Sequence, residues 1–207
     1  MSALPSVDGF RFYPGLLDAA HQRAMLAAVQ AVWQAAPPYR PRMPKSGQPM
    51  SVMMSNAGRF GWYTDKDGGY RYIERHPQTG RPWPAIPAEI LAVWDMVAQC
   101  PQVPQCCLIN LYRDGARMGL HQDRDEEDFA APVVSISLGD EAMFRLGGTT
   151  RKGGTRAMKL RSGDVVVLGG AARLAFHGID RVLAGSSRLV PGGGRINLTL
   201  RRVTKAE

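Results

Sequence analysis

A chain of 207 residues is long enough for one domain with a sizeable core and short for two. Apolar residues at 44% and charged residues at 21% fall in the ordinary globular range, and no run approaches the roughly 18 apolar residues of a membrane-spanning helix. The net charge of +8 suits a polyanionic partner, because neutralising phosphates drives much of nucleic-acid affinity, although no Lys/Arg run marks a dedicated arm.

Residues 1–10 lack a basic start followed by an apolar stretch, so no secretory leader is expected, and a soluble cytoplasmic protein with no membrane partner is. The first element is a helix over residues 18–34. Met25, Val29, Val32 and Trp33 follow its apolar period, and Asp18 suits the N-cap. Residues 37–87 read as a long irregular connection rich in aromatics, with Phe60, Trp62, Tyr63, Tyr70, Tyr72 and Trp83 among glycines and prolines. A connection of that length is functional or disordered, and its aromatics argue against disorder. A second helix is expected over residues 88–99, with Ile90, Leu91, Trp94 and Val97 as its stripe and Pro87 and Pro101 at its ends.

Beyond Pro101 short β-rich runs follow one another, at residues 105–112, 133–138, 142–146, 155–160, 164–168, 174–177 and 195–202. Glycine-containing turns separate many of them, which argues for a sandwich or jelly roll rather than alternating βα units. Three cysteines are too few for a disulfide framework. Cys106 and Cys107, adjacent on a strand, would point to opposite faces as buried thiols.

His121-Gln122-Asp123 sets two metal-competent side chains at i and i+2, on one face of an extended strand, and His177 lies on a later strand. Two imidazoles and one carboxylate, with three positions open, would form the facial triad of a non-haem iron oxygenase. A lone H-x-D is also common without any metal. On the run 195–201, Arg195, Asn197, Thr199 and Arg201 share one face, and Ile196, Leu198 and Leu200 the other. Two arginines near a metal can clamp a small dicarboxylate, and the same pattern fits a solvated strand face. Asn110 and Tyr112 make another polar pair on one face, suited to orienting an oxyacid.

With these anchors the sequence resembles the AlkB family of Fe(II)/2-oxoglutarate-dependent nucleic-acid dealkylating dioxygenases. The resemblance runs from about Ser51 to Arg201 through Asn110-x-Tyr112, Gly115, His121-x-Asp123-x-Asp125-Glu126, the Pro132–Gly139 run, Gly163-Asp164-Val165, His177-Gly178 and Arg195-x-Asn197-x-x-x-Arg201. It implies a mainly β fold with flanking helices, a double-stranded β-helix (jelly roll) behind an N-terminal nucleotide-recognition lid. That gives a single domain over 1–207, with helices and lid in 1–104 and the catalytic core in 105–203.

By the same resemblance His121, Asp123 and His177 would bind Fe(II), and Arg195 would pair with the distal carboxylate of 2-oxoglutarate. Asn110, Tyr112, Asn197 and Arg201 would hold the rest of that cosubstrate, with Leu108, Met118, Ser135 and Phe176 lining its pocket; dioxygen is the third requirement. Trp62, Tyr70 and Tyr72 match positions that stack on the base or contact its backbone, and Met54 and Ser55 belong to the same matched stretch. Trp62 would close one side of an extruded base and the His121 ring the other. Asp125 would favour the cationic bases 1-methyladenine and 3-methylcytosine, and Arg151, with Arg124 and Lys152, would meet phosphate or base.

The implied reaction is oxidative demethylation of alkylated DNA with release of formaldehyde, succinate and carbon dioxide. Single-stranded DNA is the expected partner, RNA a further one, and the protein is expected to be a monomer. The alternatives are the same chemistry directed at RNA, or a jelly-roll module that holds metal without turnover. The open triad and paired arginines speak against the latter, since structural sites close their coordination shell.

Overall fold

The computed structural model describes residues 7–205, so residues 1–6 of the segment read for a leader lie outside the described residues. The chain opens with β1 (Phe10–Tyr13), a strand not expected from its sequence. Asp18 then sits in extended backbone, and its carboxylate accepts the His21 N–H at 2.9 Å, which starts α1 (Ala19–Ala35). Met25, Leu26, Val29 and Val32 are its buried stripe.

The connection over 37–87 is not irregular throughout. It contains β2 (Met53–Gly58) and a hairpin of β3 (Gly61–Asp65) and β4 (Gly69–Ile73). The β2 sequence Met-Met-Ser-Asn-Ala-Gly has no β-branched residue, so propensity conceals a strand that tertiary pairing creates. Next comes α2 (Ala88–Val97), which stops short of Gln99 because Gln99 turns to a φ of 53°. Val93, rather than Leu91, completes its buried stripe with Ile90, Trp94 and Val97.

The second half supplies β5 (Cys106–Tyr112), β6 (Met118–His121), β7 (Val133–Gly139), β8 (Glu141–Leu146), β9 (Arg156–Leu160), β10 (Val165–Leu168), β11 (His177–Leu183) and β12 (Arg195–Arg201). The run expected as a strand at 174–177 is displaced. A 3₁₀ turn at Gly170–Ala172 is extended by the Ala175 N–H, which donates to Ala172 O at 2.9 Å, and the strand begins only at His177. A bulge between Ile179 and Arg181 breaks the alternation that would have revealed its true extent.

These strands build two antiparallel sheets in the orders β1-β10-β7-β12-β5-β2 and β6-β11-β8-β9. The fold is the expected mainly β jelly roll with flanking helices. The edge strands β1 and β2 come from the first half of the chain and flank central strands from the second.

Each central strand divides its side chains between two cores, as a period of two requires. Ile196, Leu198 and Leu200 of β12 pack with Val134 and Ile136 of β7 against Met25, Val29, Ile90 and Trp94 of the helices. Truncating Trp94 there to alanine would cost about 3–5 kcal/mol. On the other side Leu108, Val133, Val166 and Leu168 meet Phe144, Leu146 and Ile179 of the smaller sheet. Cys107 belongs to the first core and Cys106 to the second, both fully buried, as their adjacency demanded. No helix among the described residues is long and apolar enough to cross a membrane.

Candidate metal centre and cosubstrate cavity

The last residue of β6 and the first of β11 stand directly opposite one another in the ladder, and they are His121 and His177. Their rings lie 4.5 Å apart between centroids. The strands can approach this closely because position 178 is glycine; a Cβ there would stand 2.7 Å from Met118 O and 2.9 Å from Gly119 O. Asp123 sits two residues past the end of β6, so the H-x-D triplet straddles a strand end. One ligand atom from each of the three residues lies within 4.8 Å of the others.

The imidazoles are preoriented. His121 Nδ1 lies 2.9 Å from Gly119 O and His177 Nδ1 lies 3.0 Å from Ala175 O. A carbonyl can only accept, so each Nδ1 carries a proton and Nε2 is left to face Asp123, at 3.5 Å and 3.8 Å. Burial and the neighbouring His121 push the His177 pKa down to about 4, which keeps that ring neutral and able to ligate. Burial works against charge on His121, but the Asp123 carboxylate and the Gly119 carbonyl outweigh it and raise its pKa. Asp123 is held well below the usual carboxylate range: burial opposes its charge, and Arg201 and the two imidazoles overcome that opposition.

Asp123 Oδ1 pairs with Arg201 Nη2 at 2.9 Å, whereas the buried Oδ2 has no hydrogen-bond partner among the described residues. His121 Nε2 faces Oδ1 and His177 Nε2 faces the orphaned Oδ2; a carboxylate so placed calls for a cation, and this N₂O donor set with open positions fits non-haem Fe(II).

Below this cluster a cavity of about 880 Å³ runs between the sheets. β12 and β5 supply its polar floor, since their register sets Arg195 opposite Tyr112 and Asn197 opposite Asn110. Arg195 is only 1% exposed, and its Nη2 donates to Ser137 Oγ at 3.0 Å. Among the described residues its Nε and Nη1 have no hydrogen-bond partner, and neither does Asn110 Oδ1. A guanidinium buried with two unmatched nitrogens costs several kcal/mol unless an anion joins it, so the residues present fit an oxo-diacid as well as a metal. Asn197 Nδ2 donates to Ser135 Oγ at 2.7 Å. Leu108, Met118, Ser135 and Phe176 line the cavity; Phe144 and Leu168, not singled out in the sequence, extend its apolar wall.

At the mouth Trp62 of β3 and Tyr70 of β4 stack with centroids 5.6 Å apart and planes at 24°. Trp62 Nε1 donates to Asp125 Oδ2 at 2.8 Å. Arg124 and Arg151 line the cavity near the same mouth, and Met54, buried, lines it from within.

Two expected substrate contacts fall elsewhere. Ser55 follows Met54 on β2 and therefore faces away from the cavity; it is buried, with Oγ donating to Ala36 O at 2.6 Å. Tyr72 is absent from the cavity wall, because its hydroxyl is drawn to Glu126 Oε1 at 2.5 Å and accepts from Arg201 Nη1 at 3.3 Å. Sequence reasoning gave no role to Glu126, which is an acid in an acidic run, or to Arg173, whose only signal was its position among apolar residues four before His177. Both are buried.

A double β-sheet that holds an open two-histidine, one-carboxylate cluster above a buried arginine with two unmatched nitrogens defines the class of oxygenases that bind ferrous iron and an oxo-diacid together. Comparison agrees: residues 9–201 match the 2OG-Fe(II) oxygenase superfamily. The chain is 57% identical over 203 residues to the alpha-ketoglutarate-dependent dioxygenase AlkB homolog of Caulobacter vibrioides, covering 98% of this chain and 91% of that one. It is 42% identical to the alpha-ketoglutarate-dependent dioxygenase AlkB of Escherichia coli, over 82% and 80% of the two chains. The solved structure of OsALKBH1 superposes with a TM-score of 0.76 at 28% identity, over 96% of this chain and all of that one. The chain belongs to the AlkB family of Fe(II)- and 2-oxoglutarate-dependent dioxygenases, and its cofactors are Fe(II), 2-oxoglutarate and dioxygen.

Proposed function

We propose that this dioxygenase repairs alkylated nucleic acid, removing methyl groups from 1-methyladenine and 3-methylcytosine in DNA, with single strands preferred and RNA a further substrate. One observation carries the reading: a single cavity joins the His121–Asp123–His177 cluster to the unmatched Arg195 guanidinium at one end and to the Trp62–Tyr70 stack at the other. The net charge of +8 and the arginines at the mouth suit a phosphate backbone.

His121, Asp123 and His177 hold the metal. Arg195 receives the distal carboxylate of 2-oxoglutarate; Asn110, Tyr112, Asn197 and Arg201 hold the remainder, between walls formed by Leu108, Met118, Ser135 and Phe176. With iron, cosubstrate and dioxygen bound, the centre couples oxidative decarboxylation to succinate and carbon dioxide with hydroxylation of the N-methyl carbon, which then leaves as formaldehyde. The protein's own part is orientation and exclusion. Trp62 and the His121 ring hold the extruded base, which offsets the few kcal/mol lost on unstacking. Tyr70 closes the rim, Met54 backs the base pocket from within, Arg151 meets phosphate or base, and Asp125 favours a cationic base over a neutral one. The apolar wall keeps bulk water from the reacting carbon. We read the protein as a monomer of the cytoplasm.

The test is formaldehyde release from methylated single- and double-stranded oligonucleotides of DNA and RNA. Release from single-stranded 1-methyladenine and 3-methylcytosine DNA, fastest of the panel, is expected. Succinate formation with no formaldehyde from any oligonucleotide would point to another substrate class.

A further inference from the structure

Glu126 lies in the acidic run at 125–128, where a solvated face is the ordinary expectation, yet its side chain is 1% exposed. Its Oε2 accepts from Arg173 Nη2 at 3.0 Å. Its Oε1 accepts from the Tyr72 hydroxyl at 2.5 Å and lies 3.5 Å from Arg201 Nε. Both arginines continue to Asp123. Arg173 Nη1 donates to its backbone carbonyl at 2.7 Å, and Arg201 Nη2 to its Oδ1 at 2.9 Å. One carboxylate therefore faces both guanidiniums that hold the metal-binding residue, through a hydrogen bond to Arg173 and a longer ion pair to Arg201.

A buried acid between buried arginines is poor value as a stabiliser, because well-packed apolar residues of similar volume commonly do as well. It does settle how Asp123 is shared. Arg201 faces two carboxylates, so neither takes its whole planar fork. Asp123 gives Oδ1 to Arg201 and keeps Oδ2 free of any hydrogen bond among the described residues. With the charge of Glu126 removed, Arg201 would have Asp123 as its one remaining anion. A guanidinium prefers to engage a carboxylate through both oxygens. That arrangement would occupy the oxygen a metal needs.

We propose that Glu126 is a positioning residue for the metal centre: by sharing Arg201 and anchoring Arg173 it keeps Asp123 Oδ2 free for the ion. This rests on the metal role of His121, Asp123 and His177 given above. The Tyr72 hydroxyl, which donates to Glu126 and accepts from Arg201, holds the two in this division. Tyr72 thereby acts on the metal site from the lid hairpin without touching it.

The experiment is an anaerobic Co(II) titration of the full chain, read by ligand-field absorption, for wild type and Glu126→Gln, with thermal unfolding of the metal-free proteins measured alongside. The expected result is a Co(II) Kd raised about tenfold or more, the usual size of an outer-shell effect on a metal. Val32→Ala, a core variant on α1 away from the site, controls for general loosening and is expected to bind Co(II) like wild type at a lowered unfolding midpoint. A Glu126→Gln protein with a lower midpoint and an unchanged Kd, or a Kd that rises equally in Val32→Ala, overturns the proposal. Should Glu126→Gln fail to fold, Tyr72→Phe keeps the ring and carries the same test. A higher Kd supports the proposal, and an unchanged one overturns it. Failure of the wild type itself to bind Co(II) would overturn the metal reading, and this inference with it; wild-type binding matched by the variants overturns this inference alone.

Discussion

Trp62 and Asp125 are joined by a 2.8 Å hydrogen bond from the indole N–H to the carboxylate, so the lid ring and the acid two residues beyond Asp123 are fixed to one another. The bond engages Oδ2 and holds the Asp125 carboxylate beside the rim, with its other oxygen turned to a cationic base. Asp125→Ala is expected to lower kcat/KM for oligonucleotides bearing 1-methyladenine or 3-methylcytosine about fivefold more than for neutral etheno adducts, which corresponds to roughly 1 kcal/mol for a partly solvated charge pair. Equal losses on both classes would remove its electrostatic role.

Arg195 is expected to act on the cosubstrate and not on the metal. Its two unmatched nitrogens await an anion, so Arg195→Ala should raise the KM for 2-oxoglutarate by on the order of a hundredfold, from about 2–5 kcal/mol for a buried charge pair. The Co(II) Kd should stay as in wild type. Titrating 2-oxoglutarate against succinate formation checks the first part, and a metal titration checks the second.

Gly178→Ala tests the strand approach that brings the imidazoles together. The new Cβ would press on two carbonyls of β6 at 2.7 Å and 2.9 Å, and backbone cannot yield as a flexible side chain can. A loss of about 1–3 kcal/mol in stability is expected, as for overpacked sites, together with weaker metal binding. Denaturant unfolding and a Co(II) titration read the two effects.

The cysteines give a prediction from burial alone. Burial pushes the Cys106 thiol up to about 12 and raises Cys107 well above its ordinary value, so neither forms thiolate at pH 8. Cys100 is only partly buried. Iodoacetamide at pH 8 is expected to add one group to the folded protein, at Cys100, and three in denaturant, as counted by intact-mass measurement. Rapid labelling of Cys106 or Cys107 in the folded chain would contradict the packing described.

The most regular strand was the most legible part of the sequence. β12 alternates Arg195-Ile196-Asn197-Leu198-Thr199-Leu200-Arg201 without a break, so its inner and outer faces could be assigned before any fold was known. β11 was misplaced because its bulge disrupts the same period, and β2 was missed because its pairing, not its residue types, makes it a strand. The metal cluster was legible because His121 and Asp123 lie two apart and His177 ends an apolar run. Carrying over Met54 and Ser55 together ignored the fact that strand neighbours face opposite ways. Tyr72 was read as a substrate contact and Glu126 given no role because their partners Arg201 and Arg173 lie 129 and 47 residues along the chain, and no local pattern reports such contacts.

The most direct measurement is anaerobic addition of Fe(II) and 2-oxoglutarate to the metal-free protein, followed by visible absorption. The expected result is the weak charge-transfer band of a 2-oxoglutarate chelate on iron. His121→Ala and Asp123→Ala are expected to lack it, and to form no succinate in air, while remaining folded. Absence of the band in iron-loaded wild type, or a full band with full succinate formation in Asp123→Ala, would contradict the assignment of these three residues to one metal ion.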